Sequence, residues 1–491
     1  MKHFLFFLLL LSFSSFAQKK EGFSFDPLNI VGEETKTQIL SSITKNKSVY
    51  EESALKIWDW AEVGFQEYKS AEEIQKLLKN EGFDLEIGVA NIPTAFVGTY
   101  SNGDGPVIGV LGEYDALPGL SQTTDPNRAV RDGVLSGHGC GHNLFGVASA
   151  AASIAIKNWM EDTGTKGTIK FFGCPAEEGG SGKVYMVREG LFKNIDIVLN
   201  WHPSGSNRAS AGSSLANKTG KFRFTGISSH AAGAPERGRS ALDGIEAMNN
   251  MLNMMREHVD QETRIHYIIT KGGDAPNVVP NFAEGYYYIR HPDPEKVRKL
   301  WNRLELCAKG AALGTETNYT YEVTGGVYNI LPNELLQKII HNNLTLVGGV
   351  KYNENEKVYA EELSFSFGDN KIDLSLSEKI QPYVFKKETK GGGSTDVGDV
   401  SWMVPTGGFS TATYVPGTPG HSWQSASCSG TSIGTKGMIN AAKVLALTAY
   451  DLFKNKNLIE EAKKEFLEKR GSSFVYSPLI GSREPALDYR K

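Results

Sequence analysis

Stretches with helical periodicity alternate with short apolar runs between about residue 48 and the 210s. Residues 70–80 carry an apolar stripe at helical spacing, and apolar runs occupy residues 106–112, 168–173 and 195–200. This alternation predicts an α/β layer with a mostly parallel sheet flanked by helices. Each run is followed at once by polar side chains, namely Glu113, Asp115, Glu177, Glu178 and His202. Because open α/β sheets place their sites beyond the carboxyl ends of strands, we expect chemistry there.

A different rhythm begins near Thr219. Strand and helix patterns follow in the order β-α-β-β-α-β, which is typical of a small ferredoxin-like split sandwich. The predicted elements are residues 221–225, 240–258, 264–270, 283–290, 294–312 and 317–323. We therefore expect residues 218–330 to form an α+β domain inserted into a catalytic domain made of residues 18–217 and 331–491. Residues 351–390 are polar and give no clear pattern.

Two later segments are rich in glycine and proline, at residues 391–396 and 416–421. Such composition indicates loops. We expect both loops to return to the site of the first domain.

The composition is that of a folded protein: 491 residues, 40% hydrophobic and 22% charged. So long a chain exceeds what one core normally holds, which agrees with two domains. The formal charge of −4 provides no broad basic field for nucleic acid or an anionic membrane. A small-molecule substrate is therefore expected.

The first residues resemble a secretory signal. Lys2 precedes an apolar run at residues 4–11, and the small-x-small pattern of residues 15–17 ends at Ala17. We expect cleavage near Ala17 and a periplasmic or secreted protein. The alternative, an uncleaved anchor, needs a longer apolar run. Four cysteines are too few for a disulfide scaffold, although one bridge remains open.

The run Gly-His-Gly-Cys-Gly-His-Asn at residues 137–143 precedes a helix of small residues at 144–160. Glycines allow a tight bend, so that Cys140 and His142 can face one point at the head of that helix. The positive end of the helix is expected to lower the thiol pKa. The alternative is a buried cysteine beside a capping histidine.

Two adjacent acids, Glu177 and Glu178, lie in a Gly-rich turn directly after an apolar strand. Their charges are costly there unless a dication compensates them. One carboxylate can bind the metal while the other handles a proton from water. A solvated acidic turn is the competing interpretation.

His202 follows the third apolar run, and His421 lies in the Pro-Gly loop. Each alone is more often a structural histidine. Together with Cys140, His142 and the glutamates, they supply enough N, S and O donors for two borderline metal ions.

Seven motifs occur in order along the chain. They are Gly-Glu-Tyr-Asp-Ala-Leu-Pro (112–118), Gly-Cys-Gly-His-Asn (139–143), Pro-Ala-Glu-Glu (175–178), Trp-His (201–202), Ser-His-Ala-Ala (229–232), Ala-Pro-Asn-Val-Val-Pro (275–280) and Gly-Ser-Thr-Asp-Val-Gly (393–398). Together they resemble the dinuclear metallopeptidase and amidohydrolase family of carboxypeptidase G, aminoacylase, hippurate hydrolase and auxin-conjugate hydrolases. Within it, the likeness is strongest to the B-subunit branch of p-aminobenzoyl-glutamate hydrolase.

By position, this resemblance implies five ligands for two divalent ions, zinc or manganese. The ligands are Cys140, His142, Glu178, His202 and His421. It further implies that Glu177 is the base, which takes a proton from the attacking metal-activated water and passes it to the leaving amine.

The resemblance also implies a homodimer through the inserted domain, which thereby serves as lid and dimerisation domain. His230 matches a histidine that reaches the substrate carbonyl from the partner subunit and stabilises the developing oxyanion. Asn277 lies in the matching substrate-facing loop. Arg290 is expected either to pair with a substrate carboxylate or to form an internal ion pair. The branch suggests a related A subunit as a further partner.

Two positions depart from many relatives. Asn143 stands where they have Asp, which changes the surroundings of the metal, and Thr395-Asp396 stands where they have Glu-Asp. His138 is interpreted either as a residue that supports the metal ligands from behind or as part of the turn, rather than as a ligand. A methionine stripe on the inserted domain, Met248, Met251, Met254 and Met255, predicts either core packing or a dimer interface.

The leading hypothesis is hydrolysis of the amide bond of an N-acyl or N-aroyl amino acid resembling p-aminobenzoyl-glutamate, or of a dipeptide. A second hypothesis is a thiol hydrolase that uses Cys140 and His142 directly, for which sensitivity to iodoacetamide but not to chelators is expected. A third is a binding protein without turnover, against which the retention of Glu177 argues. A disulfide between Cys140 and Cys174 would contradict the leading hypothesis.

Overall fold

The computed structural model describes residues 33–368, 372–386 and 392–490. The signal sequence expected at residues 1–17 lies outside these ranges. Within them, no helix is long and apolar enough to cross a membrane.

The helices are α1 (Glu33–Lys45), α2 (Lys47–Trp60), α3 (Tyr68–Asn80), α4 (His142–Thr163), α5 (Gly182–Arg188), α6 (Ala241–Met255), α7 (Pro294–Gly314), α8 (Glu334–Val347), α9 (Glu354–Ser364), α10 (Val397–Ser401), α11 (Trp423–Ser429), α12 (Ser432–Lys454) and α13 (Lys456–Arg470). The strands are β1 (Asp84–Ile87), β2 (Phe96–Ser101), β3 (Val107–Glu113), β4 (Leu117–Pro118), β5 (Ser136–Gly137), β6 (Thr168–Cys174), β7 (Ile197–Ser204), β8 (Ala216–Thr225), β9 (Arg264–Lys271), β10 (Phe282–His291), β11 (Asn318–Val327) and β12 (Thr406–Ala412).

The larger sheet has the order β1-β2-β6-β3-β7-β12. Strands β6, β3, β7 and β12 are parallel, whereas β1 and β2 pair antiparallel at one edge. Both faces are covered: Ile108 and Val110 of β3 pack into the core that includes α4 and α12, and Leu111 packs into the core that includes α5 and α10. Burial on both faces explains why β3 is a continuous apolar run. The predicted α/β class is confirmed.

The smaller sheet has the order β11-β8-β10-β9, and all its pairs are antiparallel. Helices α6 and α7 pack on it, with Phe222 and Phe224 of β8 against Ile245, Leu252 and Trp301. The chain order β8-α6-β9-β10-α7-β11 confirms the predicted α+β unit. The sheet begins at Ala216 and ends at Val327, while the domain boundaries at residues 217/218 and 330/331 stay predictions.

Several strands extend beyond their predicted ends. Strand β7 continues through His202 to Ser204 because it pairs in parallel with β12, a strand far away in sequence. Helix α4 begins at His142 rather than at residue 144. Residues 351–390 contain α9, whose start is fixed by a capping box between Asn353 and Glu356.

Candidate metal centre

The carboxyl ends of the parallel strands carry the predicted site. Glu113 ends β3, the turn with Glu177 and Glu178 follows β6, His202 lies near the end of β7, and the loop with His421 follows β12. Three groups of donors form here, and within each group the ligand atoms lie within 4.8 Å of one another. The first group is Cys140, His142 and His202, the second is Cys140, Glu178 and His421, and the third is Glu113, His142 and Glu177. All five predicted ligands therefore come together, and Cys140 is common to the first two groups.

The turn before α4 depends on Gly141. Its φ of 72° is left-handed, and a Cβ there would lie 2.7 Å from Tyr414 Oη and 2.8 Å from Pro203 Cβ. Any side chain at this position would meet both backbone strain and a clash. The glycine thus brings Cys140 and His142 to the same point, and Cys140 Sγ lies 3.3 Å from His202 Nε2.

The orientation of His142 suits a metal ligand. Its Nδ1 lies 2.8 Å from Asp115 Oδ1, and a carboxylate on one ring nitrogen leaves the other for a metal. Its Nε2 is completely buried, lies 3.1 Å from Glu113 Oε2 and makes no hydrogen bond. Buried polar atoms rarely stay unpaired. A cation bound at Nε2 would satisfy this atom.

The other two histidines are also oriented by their neighbours. His202 Nδ1 lies 2.7 Å from the Pro203 carbonyl, which can only accept, so Nδ1 carries the proton and Nε2 is free to bind a cation. His421 Nε2 lies 3.0 Å from Glu178 Oε1. His421 has a φ of 54°, and its N–H donates to the Gly139 carbonyl at 3.1 Å, which ties its loop to the cysteine turn.

Asp115 holds two parts of the site at once. Its Oδ1 contacts His142, and its Oδ2 accepts the backbone N–H of Glu178 at 2.9 Å. Burial alone would raise the pKa of Asp115. The charge of His142 and its hydrogen bond outweigh burial, so the pKa of Asp115 is lowered. Asp115 therefore stays ionised and fixes the ring of His142 relative to the glutamate turn.

Carboxylates accumulate around this centre: Glu113, Asp115, Glu177, Glu178 and Asp396. Lys183 is completely buried and lies 2.6 Å from Glu113 Oε1 and 2.8 Å from Asp396 Oδ1. Burial, followed by the charges of Glu113 and Glu178, raises the pKa of Glu177 well above its ordinary value. Negative charge thus exceeds what Lys183 balances, and thiolate, imidazole and carboxylate donors are those that zinc accepts. The residues present fit a pair of divalent cations.

The expected lowering of the Cys140 thiol pKa is wrong for the metal-free site. Burial raises it well above its ordinary value, and this outweighs the opposing effect of His142. Desolvation disfavours the thiolate more strongly than the helix end and the neighbouring ring stabilise it.

The expected role of His138 in the turn agrees with its contacts, since Nε2 lies 3.0 Å from the Ile57 carbonyl. Burial lowers the His138 pKa to about 3.

The departures from the family pattern have structural partners. The Asn143 amide donates to the carbonyls of Ala54 and Ser429, at 3.2 and 3.1 Å. The Asp396 carboxylate accepts hydrogen bonds from the Lys183 side-chain ammonium and from the Lys183 backbone N–H. Asn143 therefore ties α4 to α2 and α11, and Asp396 holds the start of α5.

A cavity of about 750 Å³ lies over the site. Its lining includes Glu177, Glu178, His202 and His421 on one side and Tyr288 and Arg290 of β10 on the other. A space of this size between the two sheets accommodates a small-molecule substrate. Of the predicted substrate residues, Arg290 thus reaches the site.

His230 and Asn277 do not line this cavity. Both are exposed on neighbouring loops of the smaller domain, where Ala231 N–H donates to the Asn277 carbonyl at 3.0 Å. His230 Nδ1 accepts from the N–H groups of Ala232 and Gly233 at 3.2 and 3.0 Å. Its proton is therefore on Nε2, and its free edge is a donor.

The structure also bears on the possible disulfide and on the methionine stripe. Cys140 and Cys174 are free thiols, as are Cys307 and Cys428. The methionine stripe is divided, since Met248 and Met255 are in the core of the smaller domain while Met251 and Met254 are exposed.

Glu113, Asp115 and Lys183 belong to the site although the sequence predicted no specific role for them. Glu113 and Asp115 carried a signal, because they follow β3 directly at the edge where the site was expected. Lys183 carried none, since its partners come from β3 and from the turn before α10, which are far apart in sequence.

Comparison with known proteins agrees with this geometry. A family model for the peptidase dimerisation domain of the M20 family matches residues 216–316. The chain is 38% identical to the B subunit of p-aminobenzoyl-glutamate hydrolase from Escherichia coli over 471 residues, which cover 91% of this chain and 97% of the relative. It is 30% identical to the Xaa-Arg dipeptidase of Mus musculus over 424 residues, covering 84% of this chain and 87% of the relative.

A solved structure shares the fold. It is a dinuclear metal-binding peptidase of the M20 family from Bacillus subtilis, with a TM-score of 0.55, 16% identity, and coverage of 84% of this chain and 99% of that chain. The resemblance found in the motifs is thus confirmed. The chain belongs to the M20 family of metal-dependent hydrolases that act on amide bonds.

Proposed function

We propose that this enzyme hydrolyses the amide bond between an acyl or aroyl group and an amino acid, with a substrate that resembles p-aminobenzoyl-glutamate. The observation that carries the proposal is Arg290, which has no acid partner among the described residues and lies in the wall of the cavity that Glu177 and four of the five donors also line. The sequence likeness to an enzyme named for p-aminobenzoyl-glutamate supports the substrate class.

Arg290 is suited to bind a carboxylate. Its Nε is buried and has no hydrogen-bond partner, and among the described residues Arg290 forms no ion pair. Its guanidinium lies 5.5 Å from the centre of the Tyr288 ring. Since a guanidinium binds a carboxylate most strongly through two parallel hydrogen bonds, the α-carboxylate of an amino acid is the expected ligand. This argues against the internal ion pair that the sequence left open.

Different residues of the chain would bind the cations and transfer the proton. Two bound cations would be held by Cys140, His142, Glu178, His202 and His421, and would supply Lewis acidity that polarises the amide carbonyl and acidifies water. Glu177 lines the cavity next to Glu178 and would accept the proton of the attacking water at its carboxylate. The same carboxylate would then protonate the nitrogen of the leaving amine.

A second copy of the chain would supply His230. Within one chain this side chain is exposed and outside the cavity, yet its Nε2–H is available as a donor. A donor aimed at the carbonyl oxygen stabilises the charge that develops there. We infer a homodimer through the smaller domain, on which the exposed Met251 and Met254 lie. Asn277, on the loop beside His230, would contact the same substrate. A related A subunit is the alternative partner.

Zinc is the expected ion, with manganese as the second choice. Thiolates such as Cys140 favour zinc, whereas manganese prefers oxygen ligands. Export to the periplasm or outside the cell rests on the N-terminal pattern that ends at Ala17.

A thiol hydrolase is the less favoured function. Burial raises the pKa of Cys140, so that a nucleophilic thiolate is disfavoured without a cation. That function also leaves Glu178, His202 and His421 without a role.

The test is a substrate screen with purified protein from residue 18 onward, loaded with zinc or manganese. The panel contains p-aminobenzoyl-glutamate, N-acetyl amino acids, hippurate, dipeptides ending in arginine, and the carboxamide of each substrate. We expect cleavage that requires a free carboxylate, stops with a chelator and returns with metal. Arg290→Met is expected to abolish the preference for the carboxylate over the carboxamide. Cleavage that is indifferent to chelators and stopped by iodoacetamide would contradict the proposal.

A further inference from the structure

The residues after α13 pack against both domains. We call residues 471–490 the strap. Leu479 is buried in the core of the smaller domain, and Ile480 is buried in a core of the larger sheet. The strap passes close to β11, where a Cβ on Gly326 would lie 2.9 Å from Ile480 N. Neither the motifs nor the proposed reaction gives this segment a role.

Side chains fix the strap on both domains. Arg483 donates to Glu322 Oε1 at 2.7 Å and to the Val323 carbonyl at 2.8 Å, both on β11. Near its end, the Leu487 carbonyl accepts from Gln66 Nε2 at 2.7 Å. The path of the strap is thus defined before it reaches the site.

The strap ends on the glutamate turn. Tyr489 Oη donates to the Glu178 carbonyl at 3.0 Å, and Arg490 Nη2 donates to the same oxygen at 2.9 Å. The Tyr489 ring packs edge-on against Phe65, with ring centres 5.6 Å apart. Gly64 has no side chain, which leaves room for the Tyr489 hydroxyl. The Glu178 carbonyl oxygen therefore accepts two hydrogen bonds. The one from Arg490 comes from a charged donor and is stronger than an ordinary backbone hydrogen bond.

The turn needs such support. Gly179 and Gly180 follow Glu178 directly, and Gly179 has a φ of 92°. Ala176, on the other side, is held at a φ of 55° and donates its N–H to Glu67 Oε1 at 2.8 Å. The glycines leave the turn free to move, and a left-handed conformation at Ala176 persists only where surrounding contacts hold it. The main chain of Glu178 is then held on both sides of its Cα, because Asp115 accepts its N–H and the strap donates to its carbonyl.

We propose that Tyr489 and Arg490 are positioning residues for Glu178, which keep its carboxylate where it binds one of the two ions. This rests on the proposed ligand role of Glu178. No residue of the strap lines the cavity. The strap acts by limiting the motion of a glycine-rich turn that would otherwise carry the ligand away.

The test compares three full-length proteins. The first is the double variant Tyr489→Phe with Arg490→Met, which removes both donors and retains the ring on Phe65. The second is Tyr185→Phe, a matched control that removes a hydroxyl donating to the Glu484 carbonyl of the same strap at 3.4 Å. The third is the unaltered protein. For each, stepwise zinc affinity is measured by competition with a fluorescent chelator, together with kcat, KM and the melting temperature of the metal-free protein.

We expect the double variant to bind one of the two ions about 10- to 100-fold more weakly and to lose kcat by a similar factor, with KM unchanged. Its metal-free melting temperature should match that of Tyr185→Phe. Unchanged affinity for both ions would overturn the proposal, as would an equal loss of affinity in Tyr185→Phe or a lower metal-free melting temperature in the double variant alone. If the unaltered protein binds no zinc, the metal centre itself is wrong, and the strap proposal falls with it.

Discussion

Asp115 and His142 form a pair in which both side chains are completely buried and Oδ1 lies 2.8 Å from Nδ1. The same carboxylate accepts the N–H of Glu178 through its other oxygen. One aspartate thus sets the ring of one expected ligand and the backbone of another. This pair links the head of α4 to the turn after β6, two segments that are separated in the sequence by the rest of α4 and by β6.

Replacing Asp115 with alanine is expected to weaken metal binding. The variant leaves His142 Nδ1 and the Glu178 N–H buried without an acceptor, and loss of such partners typically costs about 10- to 100-fold in affinity or activity. Zinc affinity and kcat measure the effect. Asp132→Ala is the matched control, because Asp132 is exposed on a loop. Equal affinity in both variants would show that Asp115 does not orient the ligands.

Lys183→Met is expected to destabilise the metal-free protein by about 3–5 kcal/mol in free energy of unfolding. The reason is that Glu113 and Asp396 would stay buried while losing their common cation. Urea unfolding of the metal-free protein measures this. The double variant Lys183→Met with Asp396→Asn should recover part of the loss, because one uncompensated charge is removed with it. A double variant less stable than the single one would contradict the account.

Much of the fold could be predicted because its signals are local. The continuous apolar run of β3 reflects burial on both faces of the sheet, and the alternation in β10 reflects burial on one face. Each pattern can be recognised within about ten residues of sequence. The end of β7 was not visible, since only pairing with β12 extends it to Ser204. Local periodicity carries no information about a partner strand that arrives two hundred residues later.

The site shows the same division. Cys140, His142 and Glu178 lie in short motifs whose chemistry can be read directly, and the structure brings them together. Lys183 looks like an ordinary helix residue, and its function depends on two acids from distant segments. The thiol pKa of Cys140 was misjudged for a related reason, because the depth of burial is a property of the assembled fold.

Asp399 is expected to make stability depend on pH. Burial raises its pKa to about 7, against opposing hydrogen bonds from Tyr328 N–H and the Tyr476 hydroxyl. An unfolded aspartate has a pKa of about 3.9, so the folded state binds more protons between these values. The contribution of Asp399 to stability is therefore greatest below about pH 4 and is lost as the pH rises toward 7, by up to about 1.4 kcal/mol per pH unit.

Asp399→Asn removes this titration. The melting temperature of the variant relative to the unaltered protein should rise between pH 4.5 and pH 7.5, while Asp132→Asn, at an exposed position, should show no trend. A constant difference between Asp399→Asn and the unaltered protein across this range would mean that Asp399 is ionised throughout.

Sharing of His230 between subunits is tested by mixing two inactive variants. Glu177→Gln and His230→Ala should each be nearly inactive alone. In a mixed dimer, one site combines an intact Glu177 with an intact His230 from the partner, so an equal mixture should recover about a quarter of the unaltered activity. Co-purification with two different tags isolates the mixed dimer. No recovery in that fraction would place His230 within its own subunit or outside the reaction.

The most direct test of the central claim is a crystal structure of the zinc-loaded protein with anomalous data at the zinc edge. The account predicts two peaks per chain, close enough to share the Cys140 sulfur or one oxygen, with zinc–sulfur distances of about 2.3 Å and zinc–nitrogen distances of about 2.0–2.1 Å. His142, His202, Glu178 and His421 should surround them. An empty cleft with these side chains dispersed, in crystals soaked in excess zinc and in excess manganese, would contradict it.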